Sequence, residues 1–155
     1  VEGYVALGSN LGDREGHLEA ARRGLYAGGF HWILASPPEE TAPLPGSAPG
    51  QGPYLNQLLA ARRAGLGLDP AGLLALGQAL EREAGRRREA EQRWGPRPLD
   101  VDLVLFGDLV LDGPGLSVPH PRFAERPFVT GPLLAWWPGL RDPRTGAPLR
   151  AGVPV

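Results

Sequence analysis

Asp100 and Asp102 stand two residues apart where the chain changes character. Before them, Arg93-Trp94-Gly95-Pro96-Arg97-Pro98 reads as a rigid, cationic loop. From Leu99 to Phe106 the sequence alternates and then runs apolar, which reads as a buried strand. Residues i and i+2 of a strand share a face, so at a rise of about 3.3 Å per residue the two side chains start roughly 6.6 Å apart. Their oxygens can converge on one divalent cation, or on a pair of cations about 3.5–4 Å apart. Two like charges at the mouth of a buried strand need compensation, which a metal supplies best and neighbouring arginines second best. Arg86, Arg87, Arg88, Arg93 and Arg97 lie just upstream. Carboxylates for metal, arginines for phosphate and an indole for stacking suit a nucleoside triphosphate. The bland alternative is an exposed edge where Asp100 and Asp102 only pair with Arg93 and Arg97. The Leu-Val-Leu-Phe run favours a strand inside the sheet, where idle charges are rare.

Three other stretches carry polar chemistry. Tyr54-Leu55-Asn56 opens a strand with an aromatic ring and a carboxamide on one face. That pair can stack on a flat heterocycle and read its donor–acceptor edge. Gly8-Ser9-Asn10-Leu11-Gly12 is a Gly-rich turn between a strand and a helix. It is neither a dinucleotide fingerprint nor a Walker loop, and it reads as a tight turn with Ser9, Asn10 or Asp13 capping the helix. His120 sits between Pro119 and Pro121, which keeps it out of any helix interior.

The elements that must position these residues follow from periodicity. Val1 to Leu7 predicts a first strand, with Val5 and Leu7 on one face. Asp13 to about Ala27 predicts a helix with Leu18, Ala21 and Leu25 on its buried stripe, ended by Gly28-Gly29. Phe30 to Ser36 predicts a second strand, extending towards Thr41. Ala42 to Pro53 is a loop dense in Pro and Gly. Tyr54 to about Arg62 predicts the third strand. Asp69 as N-cap and Pro70 at the first position predict a helix to about Ala84, with Leu73, Leu76, Leu80 and Ala84 inward. Turns flank a short strand at Leu109 to Leu111, and Phe128 to Trp137 predicts a short apolar helix. Asp142 to Gly146 reads as a turn, and nothing after it is informative.

Composition narrows the class. The 155 residues suit one domain with a real core, so residues 1–155 are read as a single unit. A formal net charge of −1 gives no electrostatic case for nucleic acid or for a membrane surface. Lysine is absent, which removes any P-loop lysine, and cysteine is absent, which removes disulfides and thiolate metal sites. No apolar run approaches the roughly 20 residues of a membrane span, and no signal peptide is visible. The expectation is a monomeric cytoplasmic enzyme acting on small molecules.

The stretch from Arg93 to Phe106 resembles the signature of the 6-hydroxymethyl-7,8-dihydropterin pyrophosphokinases of folate biosynthesis, a pattern close to R-W-G-P-R-x-L-D-[LIV]-D. The resemblance runs from Val1 to about Leu149. It implies transfer of pyrophosphate from MgATP to the hydroxymethyl group of a reduced pterin, with AMP as the other product. It implies two Mg²⁺ held by Asp100 and Asp102, with Arg86 and Arg97 as catalytic cations. Thr41, Pro43 and Leu44 match the family's T-x-P-L lining of the pterin pocket, and Ala42 stands where Pro is common. Tyr54 and Asn56 match its Y-[LV]-N, and Trp94 and Phe128 complete the pterin contacts. The same resemblance gives Gln78, Glu81, Arg88, Trp94, Leu103, Ser117, His120 and Arg126 to ATP. It makes Ala42 to Pro53 a lid, which with Arg86–Arg97 closes over bound substrates.

The element order β-α-β-β-α-β implies a ferredoxin-like α+β sandwich with a short C-terminal extension. Fold alone does not give function, since the same architecture hosts RNA-binding domains. Near-zero charge and missing RNA-platform aromatics argue against that use. A metal-dependent nuclease or nucleotidyltransferase could use Asp100 and Asp102, but would leave Tyr54, Asn56 and Phe128 without work.

Overall fold

The computed structural model describes residues 2–42, 50–85 and 97–150. Strand β1 (Gly3–Ser9) is buried along its whole length and forms the centre of the sheet. Its alternation sends Val5 and Leu7 to one core, and Tyr4 and Ala6 to a second core on the other face. β4 (Tyr54–Ala61) and β5 (Asp100–Phe106) flank it, both antiparallel. The ladder runs β2–β4–β1–β5, with β3 also paired to β4. This is the expected α+β sandwich.

Helices α1 (Arg14–Gly28) and α2 (Pro70–Glu83) cover the first face. Asp13 caps α1 through a carboxylate that accepts from Gly16 N–H at 3.0 Å, and Gly29 at φ 116° closes it. Asp69 caps α2 in the same way, at 2.7 Å from Gly72 N, with Pro70 first in the helix. Leu18, Ala21 and Leu25 meet Leu73 and Leu80 in the core, as their spacing predicts. A Cβ at Gly24 would run into Leu80, so that glycine lets the helices approach closely. No described helix is long and apolar enough to cross a membrane.

Three expectations about strands are corrected. The predicted second strand is broken into β2 (Leu34–Ala35) and β3 (Glu39–Thr41). Pro37 and Pro38 between them have no N–H to give a ladder. Polar side chains repair the gap. Ser36 Oγ accepts from Leu58 N–H (2.8 Å), Gln57 Nε2 donates to the Ser36 carbonyl (2.8 Å), and Arg22 donates to Gln57 (2.7 Å).

β5 is not inside the sheet. Among the described residues it pairs with β1 alone and ends the ladder. Leu103, Val104 and Leu105 are nevertheless buried, because both faces are covered and the outer edge is overlaid. His120 N–H donates to the Val104 carbonyl at 2.9 Å, which closes that edge without a strand. A register shift opposite Tyr4 and Val5 turns both Val104 and Leu105 into the second core and sends Phe106 back to the first. The predicted strand at Leu109 to Leu111 is displaced too. β6 (Leu111–Gly113) and β7 (Leu116–Val118) form a hairpin whose turn carries Gly115 at φ 74°.

α3 (Pro127–Trp136) packs Val129 and Leu133 on the second face against Tyr4, Ala6, Leu58, Ala60 and Val104, with Leu140 and Leu149 beside them. That second core stops at Ala6, Leu58 and Val104. The next positions along the three strands are Gly8, Asn56 and Asp102, and there the apolar surface gives way to polar groups.

Candidate active site

Strand register builds this polar patch. Gly8 lies opposite Asn56 on one side and Asp100 on the other, and Ala6 lies opposite Asp102. A Cβ at Gly8 would sit 3.0 Å from Asn56 Oδ1, 3.6 Å from Tyr54 Cδ1 and 4.0 Å from Asp100 Cβ. Gly8 is therefore the bare floor between an aromatic–carboxamide half and a carboxylate half. Glycine within a strand marks such an approach of backbone to ligand. The sequence places it in a Gly-rich turn, but the structure puts it in β1.

Asn56 is only 6% exposed, and its Nδ2 donates to Thr41 Oγ1 at 2.5 Å. That bond fixes which way the carboxamide faces. Thr41 is brought there because β3 pairs it with Tyr54. Phe128, on α3, packs at the margin of the second core, on the same side of the sheet.

The carboxylates are offset by arginines. Arg97 Nη1 is 3.2 Å from Asp100 Oδ1, and Arg126 Nη1 is 3.9 Å from Asp102 Oδ2. Among the described residues no group of three or more acidic or histidine side chains forms a cage. A cation here would take two hard protein oxygens and draw its other ligands from phosphate and water. That donor set fits Mg²⁺, which keeps waters and binds through one or two carboxylates plus substrate phosphates.

Of the three candidate caps Ser9, Asn10 and Asp13, Asp13 is the one that serves α1, and Asn10 has another task. It is 7% exposed and joins two distant segments. Its Nδ2 donates to Gln51 Oε1 (2.9 Å), and its Oδ1 accepts from Arg97 N–H (2.7 Å). Its own N–H donates to the Arg97 carbonyl at 3.1 Å. One side chain thus ties the approach to Tyr54 to the arginine beside Asp100. Its partners lie 41 and 87 residues away, beyond any local signal.

His120 sits over the edge of β5. Its Nδ1 accepts from Arg122 N–H at 3.2 Å, so the neutral ring carries its hydrogen on Nε2. Burial first, then the charges of Arg126, Arg122 and Arg144, push its pKa down to about 4, against a small opposing pull from Asp100. The unfolded chain therefore takes up this proton near the ordinary value of 6.5, and the folded chain only near 4. Stability present above pH 6.5 is lost as the pH falls through that window. His120→Gln should flatten this part of a melting-temperature curve in the metal-free protein. Equal slopes for the two proteins would refute the buried neutral ring.

The structure does not bring every candidate to the carboxylate face. Glu81 is 2% exposed on α2, behind the sheet, where its Oε2 accepts from Val101 N–H at 2.9 Å and braces the start of β5. Gln78 is half-buried on the same helix, and Leu103 packs in the core beneath α1 and α2. Ser117 lies on β7, 3.5 Å from Asp112 Oδ1. Pro43, Leu44, Arg86, Arg88 and Trp94 lie outside the described residues, as do most of the predicted lid and most of the loop before Arg97.

The fold is that of an α+β sandwich with a polar patch on its second face. The sequence profile of the family described as 7,8-dihydro-6-hydroxymethylpterin-pyrophosphokinase (HPPK) matches residues 4–138. The chain is 40% identical over 131 residues to a 2-amino-4-hydroxy-6-hydroxymethyldihydropteridine pyrophosphokinase of Bacillus subtilis, across 84% of this chain and 74% of that protein. It is 40% identical over 141 residues to the protein of the same description in Pseudomonas aeruginosa, across 90% of this chain and 83% of that one. A mitochondrial folate synthesis bifunctional protein of Pisum sativum is 38% identical over 133 residues, which span 86% of this chain but 24% of that protein. The chain belongs to the 7,8-dihydro-6-hydroxymethylpterin pyrophosphokinase family, ATP-dependent enzymes of folate biosynthesis.

Proposed function

We propose that the second face of the sheet is where this chain transfers pyrophosphate from ATP to 6-hydroxymethyl-7,8-dihydropterin. The observation that supports this is the placing of Tyr54 and Asn56 beside Asp100 and Asp102 across a bare Gly8. The pterin lies on the Tyr54 side, read by Asn56, with Thr41 fixing the carboxamide and Phe128 as the second wall. Pro43, Leu44 and Trp94 complete the pocket by resemblance. The triphosphate lies on the carboxylate side, met by Arg97, His120 and Arg126, with Arg86, Arg88, Gln78, Glu81, Leu103 and Ser117 assigned to ATP by resemblance.

The substrate hydroxyl oxygen attacks the β-phosphorus. The bond from that phosphorus to the α,β-bridging oxygen breaks, and AMP leaves with the electron pair. The hydroxyl proton passes to Asp100 and on to solvent. Asp100 and Asp102 would hold two Mg²⁺, which when bound neutralise phosphate charge and acidify the hydroxyl. Arg97 and Arg126 then turn from the carboxylates to the charge that grows on the leaving oxygen. His120 offers Nε2–H to a phosphate oxygen without adding a proton of its own. Orientation and electrostatics carry most of such a transfer. A net charge of −1 supports small-molecule partners over polyanions, and the proposal includes a monomeric enzyme in the cytoplasm.

The test is product analysis with the purified chain, ATP, Mg²⁺ and the reduced pterin. AMP should form only when all are present. ADP as the product would mean transfer of a single phosphoryl group and would overturn the reading.

A further inference from the structure

The stretch Asp142-Pro143-Arg144-Thr145-Gly146 forms the turn expected from its sequence. It holds a charged pair, Asp142 and Arg144, joined by several hydrogen bonds. Asp142 is 9% exposed and accepts from Arg144 at three donors: the backbone N (2.9 Å), Nε (3.1 Å) and Nη2 (2.9 Å). The Asp142 carbonyl accepts from Gly146 N–H at 2.7 Å and Thr145 N–H at 3.2 Å, which closes the turn around the pair. Asp142 is held below its usual carboxylate range, chiefly by the Arg144 side-chain hydrogen bonds.

The remaining arm of this guanidinium leaves the turn. Arg144 Nη1 donates to the Pro121 carbonyl at 3.1 Å, and Arg144 Cζ lies 5.1 Å from the centre of the Phe123 ring. Pro121 follows His120 directly, and Phe123 N–H donates to the His120 carbonyl at 3.1 Å. Phe123 is itself fully buried, so the ring that Arg144 covers is fixed from below. A planar fork with five donors suits this triple task, and an ammonium does not. The guanidinium also adds one of the charges that keep His120 neutral.

We propose that Arg144, oriented by Asp142, is a positioning residue for ATP: it braces the Pro121–Phe123 segment so that His120 and Arg126 face the phosphates. This rests on the assignment of His120 and Arg126 to the nucleotide. Arg144 touches no substrate in this scheme. It acts through the carbonyl next to His120 and through the ring beneath it. The carboxamide side of the site is built on β3 and β4, where Asn56 bonds Thr41.

Steady-state kinetics of the full chain provide the test, with ATP and pterin varied separately. His120→Ala, Arg144→Ala, Arg144→Lys and Asp142→Asn are compared. Arg144→Ala should raise KM for ATP by about tenfold, as a small misplacement of a binding group does, and leave KM for the pterin within about twofold. Arg144→Lys should not restore the ATP value, because it keeps the charge but loses the fork. Asp142→Asn keeps the acceptor that closes the turn and should move KM for ATP in the same direction. It serves as the reading if Arg144→Ala fails to fold. A brace that serves stability alone would lower the melting temperature and leave the ratio of the two KM values unchanged. That outcome, with His120→Ala raising KM for ATP, would overturn the positioning role. Full rescue by Arg144→Lys would overturn it as well. If His120→Ala leaves KM for ATP unchanged, the nucleotide assignment fails and takes this proposal with it.

Discussion

Asp102→Ala and Asp100→Ala are each expected to lower kcat by about a thousandfold or more, since each removes one of the two proposed anchors for the cations that would offset phosphate charge. The fold should survive. Each carboxylate is partly exposed, and among the described residues Asp100 meets Arg97 at 3.2 Å and Asp102 meets Arg126 at 3.9 Å. Pairs of this kind contribute about 0–1 kcal/mol to stability. Neither carboxylate belongs to either core, so no cavity opens when one is truncated. The two effects therefore separate: near-complete loss of AMP formation, with a melting temperature close to that of the parent in the absence of metal. Calorimetric titration of Mn²⁺ with a non-hydrolysable ATP analogue present gives a second readout, and should lose at least one bound ion per chain. A variant that kept near-parental kcat would refute the assignment of both residues to metal.

Why some of this was legible in sequence and some was not follows from the range of the interactions. Helix caps are local. Asp13 and Asp69 lie three residues from the N–H groups they satisfy, so their side chains alone announce the helix starts. Face-sharing along a strand is local too, which is why Asp100 with Asp102, and Tyr54 with Asn56, were paired correctly. The place of β5 in the sheet was misjudged because an apolar run reports burial and not what does the burying. Here a coil segment at His120 covers the edge that a neighbouring strand was expected to cover. The break between β2 and β3 was signalled by Pro37-Pro38, but its repair by Ser36 and Gln57 was not, because Gln57 lies 21 residues from Ser36. Asn10, Glu81 and the outer arm of Arg144, which reaches Pro121, 23 residues away, share one property. Each is a polar group whose partners are set by packing of remote segments. Residue type says only that such a group will find partners when buried, and not which ones.

Gly8→Val is expected to remove pterin binding while leaving ATP binding within a few-fold of the parent. The strand tolerates the substitution in principle, since β-branched residues suit extended backbone. The space does not. The first added carbon would already stand 3.0 Å from Asn56 Oδ1 and 3.6 Å from the Tyr54 ring, and two further methyl groups must go somewhere in that gap. Either they fill the slot or they push the carboxamide off Thr41 Oγ1, to which it donates at 2.5 Å. Both outcomes deny a flat ligand its floor and its polar edge. Asn56→Ala tests the edge alone. Leaving the ligand's buried donors and acceptors unpaired costs about 1–3 kcal/mol, which is roughly one to two orders of magnitude in affinity. Phe128→Ala removes a wall and no hydrogen bond, so its loss should be equal or smaller. The measurement is calorimetry with the pterin and a non-reactive ATP analogue. The order Gly8→Val, then Asn56→Ala, then Phe128→Ala is what a slot with a bare floor, one reading edge and one movable wall must give. Full pterin affinity in Gly8→Val would place the slot elsewhere on the molecule, and a large loss of ATP affinity would mean that the two halves of this face have been interchanged.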